Sequence, residues 1–200
     1  MGSVTDQTDQ VRPGRKRSED SRRAILAATF ELTAECGYAG LTIDGIAARS
    51  GTGKQTIYRW WPTKDDVLLE AVATKADLHV PVSDQGSFRA DLRAFLTASF
   101  ALGHRPLIDV LRALMARAQI DEAFGERFRT GFLQRRRDAL GVILDRAAGR
   151  GELPPGVSPG TVTDIVFGVI WYRLLATRQP AGDDLADELV AVLAGPPAAD

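Results

Sequence analysis

Cysteine is almost missing from this chain, with Cys36 the single one among 200 residues. One cysteine excludes an internal disulfide framework and cannot build a cysteine-based metal cluster, and it suits a reducing, cytoplasmic compartment. At the end of an apolar helical stretch it reads as a small apolar residue rather than a reactive thiol. Histidine is nearly as scarce. His79 and His104 lie far apart in the chain without a His-x-x-x-His pairing, so no metal site is expected. Long apolar runs are lacking as well. No stretch approaches the roughly 18 apolar residues of a membrane span. The opening "MGSVTDQTDQVRPGRKRSED" has no apolar signal-peptide segment, so a soluble protein without a membrane partner is expected. Alternating strand patterns bounded by hairpin turns are missing too. No nucleophile–base pair or carboxylate pair converges in the sequence, so neither enzyme chemistry nor a cofactor is expected.

Net charge is also close to absent, at −1, but that average conceals an asymmetry. Residues 1–64 carry 10 Lys and Arg against 7 Asp and Glu, whereas residues 65–200 carry 15 against 19. Between Arg12 and Arg23 six basic residues face two acidic ones. Positive charge is therefore gathered at the amino-terminal end, where an anionic partner would be met.

What the chain does have is helical periodicity nearly throughout, with 44% hydrophobic and 26% charged residues, which predicts an all-α protein with a sizeable core. Ser18, followed by Glu19 and Asp20, is placed to cap a first helix that reaches Cys36 and stops at Gly37, with Ile25, Leu26, Phe30, Leu32 and Ala34 on its apolar side. Thr42 caps a short second helix to about Ser50, with Ile43, Ile46 and Ala47 inward, and Gly51 supplies a turn. Thr52 and Gln55 read as a capping box for a third helix that must end near Trp60, because Pro62 disfavours helical backbone at Trp61. Thr63 and Asp66 cap a fourth. After the connection "HVPVSDQGS", helices are expected over roughly 88–102, 106–118, 122–148, 159–177 and 184–194, with Ser158-Pro159 opening the fourth of these.

The stretch "RSGTGKQTIYRWWPTKDD" admits two functions. A phosphate loop needs Gly-x-x-x-x-Gly-Lys-Ser/Thr after a buried strand. Here Ala48 stands where the first glycine belongs, Gln55 where the hydroxyl belongs, and the preceding segment has helical spacing. A helix-turn-helix needs a second helix with one face for its own core and another for the major groove. At about 100° per residue, Ile57, Trp60 and Trp61 fall on one side, and Lys54, Gln55, Tyr58 and Arg59 on the other. Lys and Arg donate to guanine, Gln pairs with adenine, and Tyr and Thr bond phosphates. Double-stranded DNA is therefore the favoured partner. A protein-binding helical adaptor without DNA activity, and a nucleotide-binding enzyme, are the alternatives.

With those residues in view, "GLTIDGIAARSGTGKQTIYRWWPTKDDVLLEAV" resembles the DNA-binding region of TetR-type transcriptional regulators. Thr42, Gly51, Thr56-Ile57-Tyr58 and Trp61-Pro62-Thr63-Lys64 match that pattern in order and spacing, and the resemblance covers roughly residues 18–75. It implies a helix-turn-helix domain over 18–64 after a flexible basic arm at 1–17, then an effector-binding and dimerisation bundle over 65–200. It further implies that Tyr58, Lys64, Thr42 and Thr56 contact phosphates, while Lys54, Gln55 and Arg59 face base edges. Trp60 stands where the family often has His or another polar or aromatic residue, and would pack on sugar-phosphate. Asp44 stands where some relatives place a basic base-contacting residue, against base reading from the second helix. Arg15, Lys16 and Arg17 are candidates for a minor-groove or phosphate-contacting arm.

In the bundle, Phe95, Leu111, Arg112, Met115 and Trp171 are candidates to line a small-molecule effector cavity. The stripe Ile165, Phe167, Ile170, Trp171, Leu174 and Leu175 covers too much of one helix for a monomer's surface. Phe167, Ile170 and Leu174, with Leu189 on the last helix, are expected at a homodimer interface. The basic run Arg135-Arg136-Arg137 points three ways on a helix and reads as solvated surface.

Overall fold

The computed structural model describes residues 13–80, 82–101 and 107–195, with side chains from Ser18 onward. Among these residues every regular element is helical. Helix α1 runs Pro13–Gly40, broken at Gly37 (φ 69°, ψ −179°). It begins ahead of the expected Ser18 because Pro13 sits at the start, where a missing N–H costs nothing, and the helix simply continues through Ser18. Arg15, Lys16 and Arg17 thus belong to a helical backbone, but their side chains, and the remainder of the expected arm, lie outside the described residues. Along α1 the buried face carries Ile25, Leu26, Ala28, Thr29 and Thr33, and Ala34 is exposed rather than inward. The two threonines are buried without penalty because each hydroxyl donates to the carbonyl one turn back, at 2.8 and 2.7 Å. Cys36 is exposed.

Helix α2 (Ile43–Ser50) is capped by Thr42, whose Oγ1 accepts from the Gly45 N–H at 3.0 Å, and Ile46 is its buried anchor. Gly51 ends it in the left-handed region at φ 66°, a conformation that a side chain disfavours. Helix α3 (Lys54–Trp60) begins at Gly53 with no side-chain cap. The expected Thr52–Gln55 capping box is not formed, because Thr52 Oγ1 pairs at 2.8 Å with the Ser50 hydroxyl, a nearer partner across the turn. Trp61 is extended (φ −133°, ψ 120°) ahead of Pro62, as the proline requires. Thr63 and Asp66 do form their capping box at the start of α4 (Lys64–His79).

The rest comprises α5 (Phe88–Ala101), α6 (Leu107–Ile120), α7 (Glu122–Phe128), α8 (Gln134–Arg150), α9 (Pro159–Trp171) and α10 (Asp183–Leu193). One helix is expected over roughly 122–148. It is continuous but includes a π-helical stretch, Arg129–Leu133, between α7 and α8, and a second such stretch, Tyr172–Thr177, extends α9. Ser158 caps α9 by accepting from the Thr161 N–H at 3.1 Å.

Two apolar cores result. The first joins Ile25, Ile46, Ile57, Trp61 and Leu68 to Val110, Leu114, Phe124 and Phe128, so α1–α4 share an interior with α6 and α7, across the sequence position where a head and a bundle meet. The second is built by α5, α8, α9 and α10 from Phe88, Phe95, Leu140, Ile143, Val166 and Leu189.

Candidate nucleic-acid interface and bundle cavity

The amino-terminal helices are fixed by paired charges that leave one side of α3 uncommitted. Arg49 on α2 reaches both carboxylate oxygens of Glu35 on α1, at 2.9 and 2.7 Å. Those charge-assisted hydrogen bonds hold Glu35 below the usual carboxylate range and Arg49 above its own. Glu70 on α4 accepts from the Trp61 indole N–H at 2.7 Å and also pairs with Arg22 on α1, so one carboxylate ties the end of α3 to two helices. Tyr38 donates its hydroxyl to Asp65 at 2.9 Å, and burial, reinforced by that bond, pushes the phenol up to about 12. These contacts satisfy the polar groups that the small helices would otherwise leave open.

Within this frame α3 turns Ile57 wholly inward, and Trp61 at its end is buried as well. Lys54, Gln55, Tyr58 and Arg59 are exposed, with Tyr58 at 53%, and Thr56 is half-buried. Trp60 is the exception to the expected division. It is 38% exposed, with the guanidinium carbons of Arg22 and Arg59 at 5.7 and 5.9 Å from its ring. It follows Ile57 by nearly a full turn, but α3 stops there, so no further element covers it, and the ring becomes a platform for two cations.

Three expected phosphate or base contacts already have partners within the chain. Lys54 on α3 pairs with Asp44 on α2, a contact that raises the ammonium above its ordinary value. Lys64 donates to the Tyr38 and Leu41 carbonyls at 3.3 and 3.2 Å and stands 4.5 Å from the Tyr38 ring. Thr42 Oγ1 is engaged as a cap, which uses its acceptor side and leaves its O–H to donate. Asp44 therefore acts on the exposed side of α3 through Lys54, a link that the sequence alone did not reveal.

The preceding segment, α2, is a helix, so the strand that a phosphate loop requires does not lead into Gly51. Among the described residues no group of three or more His, Cys, Asp or Glu could hold a metal ion, and no helix is long and apolar enough to cross a membrane. His104 lies outside the described residues.

Between the two cores is a cavity of about 130 Å³, walled by residues of α4, α5, α6, the first π stretch, α8 and α9. Leu111 and Trp171 line it, whereas Phe95, Arg112 and Met115 do not. Phe95 belongs to the second core, Met115 packs on the first, and Arg112 donates to the Leu174 carbonyl at 2.7 Å. Phe167, Ile170 and Leu174, the expected interface residues on α9, also face this cavity, and Leu189 on α10 is buried in the second core. On the outside of the same two helices Ile165, Tyr172, Leu175 and Val192 are exposed.

A run of aromatic rings leads from the first core to the cavity lining at Phe132 and Trp171. Phe124, Phe128 and Phe132 succeed one another at 6.5 and 5.7 Å, and Trp171 meets Phe128 edge-on at 6.3 Å. The basic run on α8 corrects the reading of three solvated arginines. Arg135 and Arg137 are outside, paired with Asp77 at 3.1 Å and Asp164 at 2.8 Å, but Arg136 is only 6% exposed and lines the cavity. Burial lowers its guanidinium to about 10. The signal was available in its flanks, since Phe132, Arg136, Leu140 and Ile143 recur at helical spacing on the inward side.

A clamp links α7 to the start of α4. Arg127, one residue before the last of α7, donates to Asp66 at 2.7 Å, and Asp66 is the same carboxylate that caps α4 with Thr63.

Comparison with known proteins covers both halves of the chain. Residues 25–71 match the family model for bacterial regulatory proteins of the tetR family, and residues 82–193 match the tetracyclin repressor-like C-terminal domain. The uncharacterized HTH-type transcriptional regulator YdeS of Bacillus subtilis (strain 168) is 34% identical over 90% of this chain and 91% of its own length. The DNA-binding transcriptional repressor TetR of Mycobacteroides abscessus is 28% identical, over 90% and 97%. Among solved structures, a TetR family transcription regulator superposes with a TM-score of 0.78 at 31% identity, covering 86% of this chain and 95% of its own. FadR from Bacillus subtilis, solved in complex with stearoyl-CoA, shares the fold at a TM-score of 0.66 and 21% identity, covering 86% and 97%.

Proposed function

Because the chain belongs to the TetR family of DNA-binding transcriptional regulators, we propose that it acts in the cytoplasm as a homodimeric repressor of a near-palindromic operator, released by a small-molecule effector. The observation that carries this reading is the division of α3: Ile57 and Trp61 anchor it while Lys54, Gln55, Tyr58 and Arg59 stand in solvent. Inserted in a major groove, Lys54, Gln55 and Arg59 meet base edges, and Tyr58, Thr42, Thr56 and Lys64 meet phosphates. Lys54 must exchange Asp44 for its base, so Asp44 weakens every site that does not offer guanine acceptors well placed enough to win that exchange. Trp60, half-exposed beside the Arg22 and Arg59 guanidinium groups, would pack along sugar-phosphate.

A seven-residue helix reads few bases, and a two-fold dimer doubles the site by placing two such helices about 34–36 Å apart. The exposed apolar side chains of α9 and α10, Ile165, Tyr172, Leu175 and Val192, supply the surface such a dimer would bury. The effector enters the cavity between the cores. Its wall at Phe132 and Leu133 is continuous with α7, whose Arg127 grips the cap of α4, so a repacked wall has a mechanical route to the reading head.

Selection of operators from random duplex DNA with the full chain tests the reading. An enriched inverted repeat is expected, relaxed at defined positions by Lys54→Ala or Gln55→Ala, and weakened uniformly with a shallower salt dependence by Lys64→Ala. Recovery of no enriched sequence sinks the DNA assignment, and a monomer in sedimentation at micromolar concentration sinks the dimer.

A further inference from the structure

We propose that the ligand of the cavity is a compact organic anion, an apolar body bearing one carboxylate, and that Arg136 is its counter-ion. The inference rests on the cavity being the effector site, and it adds the chemistry of what enters.

Arg136 is nearly enclosed, yet among the described residues no carboxylate lies within salt-bridge distance of it, although both sequence neighbours have one. Its Nη2 donates to the Ser99 hydroxyl at 3.2 Å, and its guanidinium carbon stands 4.9 Å from the Phe95 ring. Ser99 in turn donates to the Phe95 carbonyl at 2.7 Å. A neutral hydroxyl and a ring face offset only part of the cost of burying a cation, and most of the guanidinium fork is left over. A second guanidinium, Arg173, lines the same cavity, and its Nη1 donates to the Pro180 carbonyl at 3.0 Å, again a neutral acceptor. Among the described residues the cavity wall therefore contains two cations and no acid, and its other surfaces are largely apolar, from Leu107, Leu111, Phe167 and Trp171 among others. A planar fork held in an apolar hollow matches a carboxylate bidentately. A volume of about 130 Å³ sets the scale of the body, since an apolar cavity of about 150 Å³ accommodates a benzene ring.

Matched acids and amides separate charge from shape. Binding of benzoate against benzamide, and octanoate against octanamide, is measured on the full chain by calorimetry and thermal shift. Each acid is expected to bind about tenfold or more tightly than its amide, the strength of a charge-assisted bond. Arg136→Met should erase that preference while the amides still bind, and Arg136→Lys should restore part of it. Equal binding of acid and amide to the unaltered chain overturns the proposal but leaves the effector cavity standing, as does an acid preference that survives Arg136→Met. If no member of either series binds, the cavity as effector site fails and the proposal with it. Should Arg136→Met not fold, the acid and amide comparison on the unaltered chain decides alone.

Discussion

In the reading head the side chains offered to a partner stand outside a filled core, whereas in the bundle they surround a hollow between two cores. The head owes its shape to interactions between residues close in sequence: Thr42 capping α2, Gly51 turning the chain, and Thr63 with Asp66 opening α4. The cavity is assembled from five helices and both π stretches, and its one deeply buried charge lies on a helix face that looks inward only once the bundle has closed. On the proposed reading, a surface that must find DNA gains from exposure and rigidity, while a site that must respond to a small molecule gains from unfilled space and an unmatched cation.

The contrast can be broken most severely at Ile57. Ile57→Ala removes the one fully buried side chain of a short helix and should cost about 2–5 kcal/mol. Because Ile57 shares its core with Val110 and Phe124, the loss should appear in the global urea transition as well as in operator binding. An early melting of the head with the remaining transition unmoved would divide what the shared core joins. Next in size is Gly125→Ala on α7. A Cβ there would stand 2.6 Å from the Ala118 carbonyl oxygen on α6, a backbone atom that cannot swing aside. Overpacking of this kind costs about 1–3 kcal/mol and exceeds the gain of up to about 1 kcal/mol that alanine brings to a helix. A lowered melting temperature is therefore expected, and an unchanged or raised one would show that α6 and α7 are free to separate.

A smaller loss, about 1 kcal/mol, should follow Thr63→Ala, which removes the cap of α4. If Asp66 also transmits the state of the cavity through Arg127, the variant's operator affinity should respond less to effector than that of the unaltered chain, a difference read by titrating duplex with and without ligand. The least effect is expected at Tyr38. Its phenol is raised to about 12 in the fold against about 10 unfolded, so the unfolded chain ionises first and stability falls as pH climbs from about 10 to about 12. Arg136, lowered by burial to about 10, pushes the other way over the same interval. The difference between the unaltered chain and Tyr38→Phe isolates the phenol, and a slope retained in Tyr38→Phe would show that the Asp65 bond is not its source.

These two regions also differ in how far the sequence exposes them. Caps, turns and the split faces of α3 are set within a few residues and are legible from spacing. Two local readings failed where a competing partner or the end of an element intervened. Thr52 pairs with Ser50 instead of capping α3, and Trp60, placed on the inward side by rotation alone, emerges at a helix end that nothing covers. In the bundle the helices themselves were legible, and Leu111 and Trp171 do face the cavity, but Phe95 and Met115 fill cores instead. Which apolar residue borders a void depends on five helices meeting, and no window along the chain encodes that. Arg136 was hidden by a rule about charge runs that holds for its two neighbours and fails for the residue between them.

The π stretches at Arg129–Leu133 and Tyr172–Thr177 both border the cavity, and each winds a spare residue into its turn. A helix carrying such slack can pass the extra residue along its length, rotating one end against the other by about a quarter turn while its hydrogen-bond ladder stays closed. The hollow is thus bounded by two adjustable struts. On the proposed reading a guest larger than the resting space would be met by regrading their pitch, and the first strut leads back into α7, where Arg127 bonds the Asp66 carboxylate that caps α4.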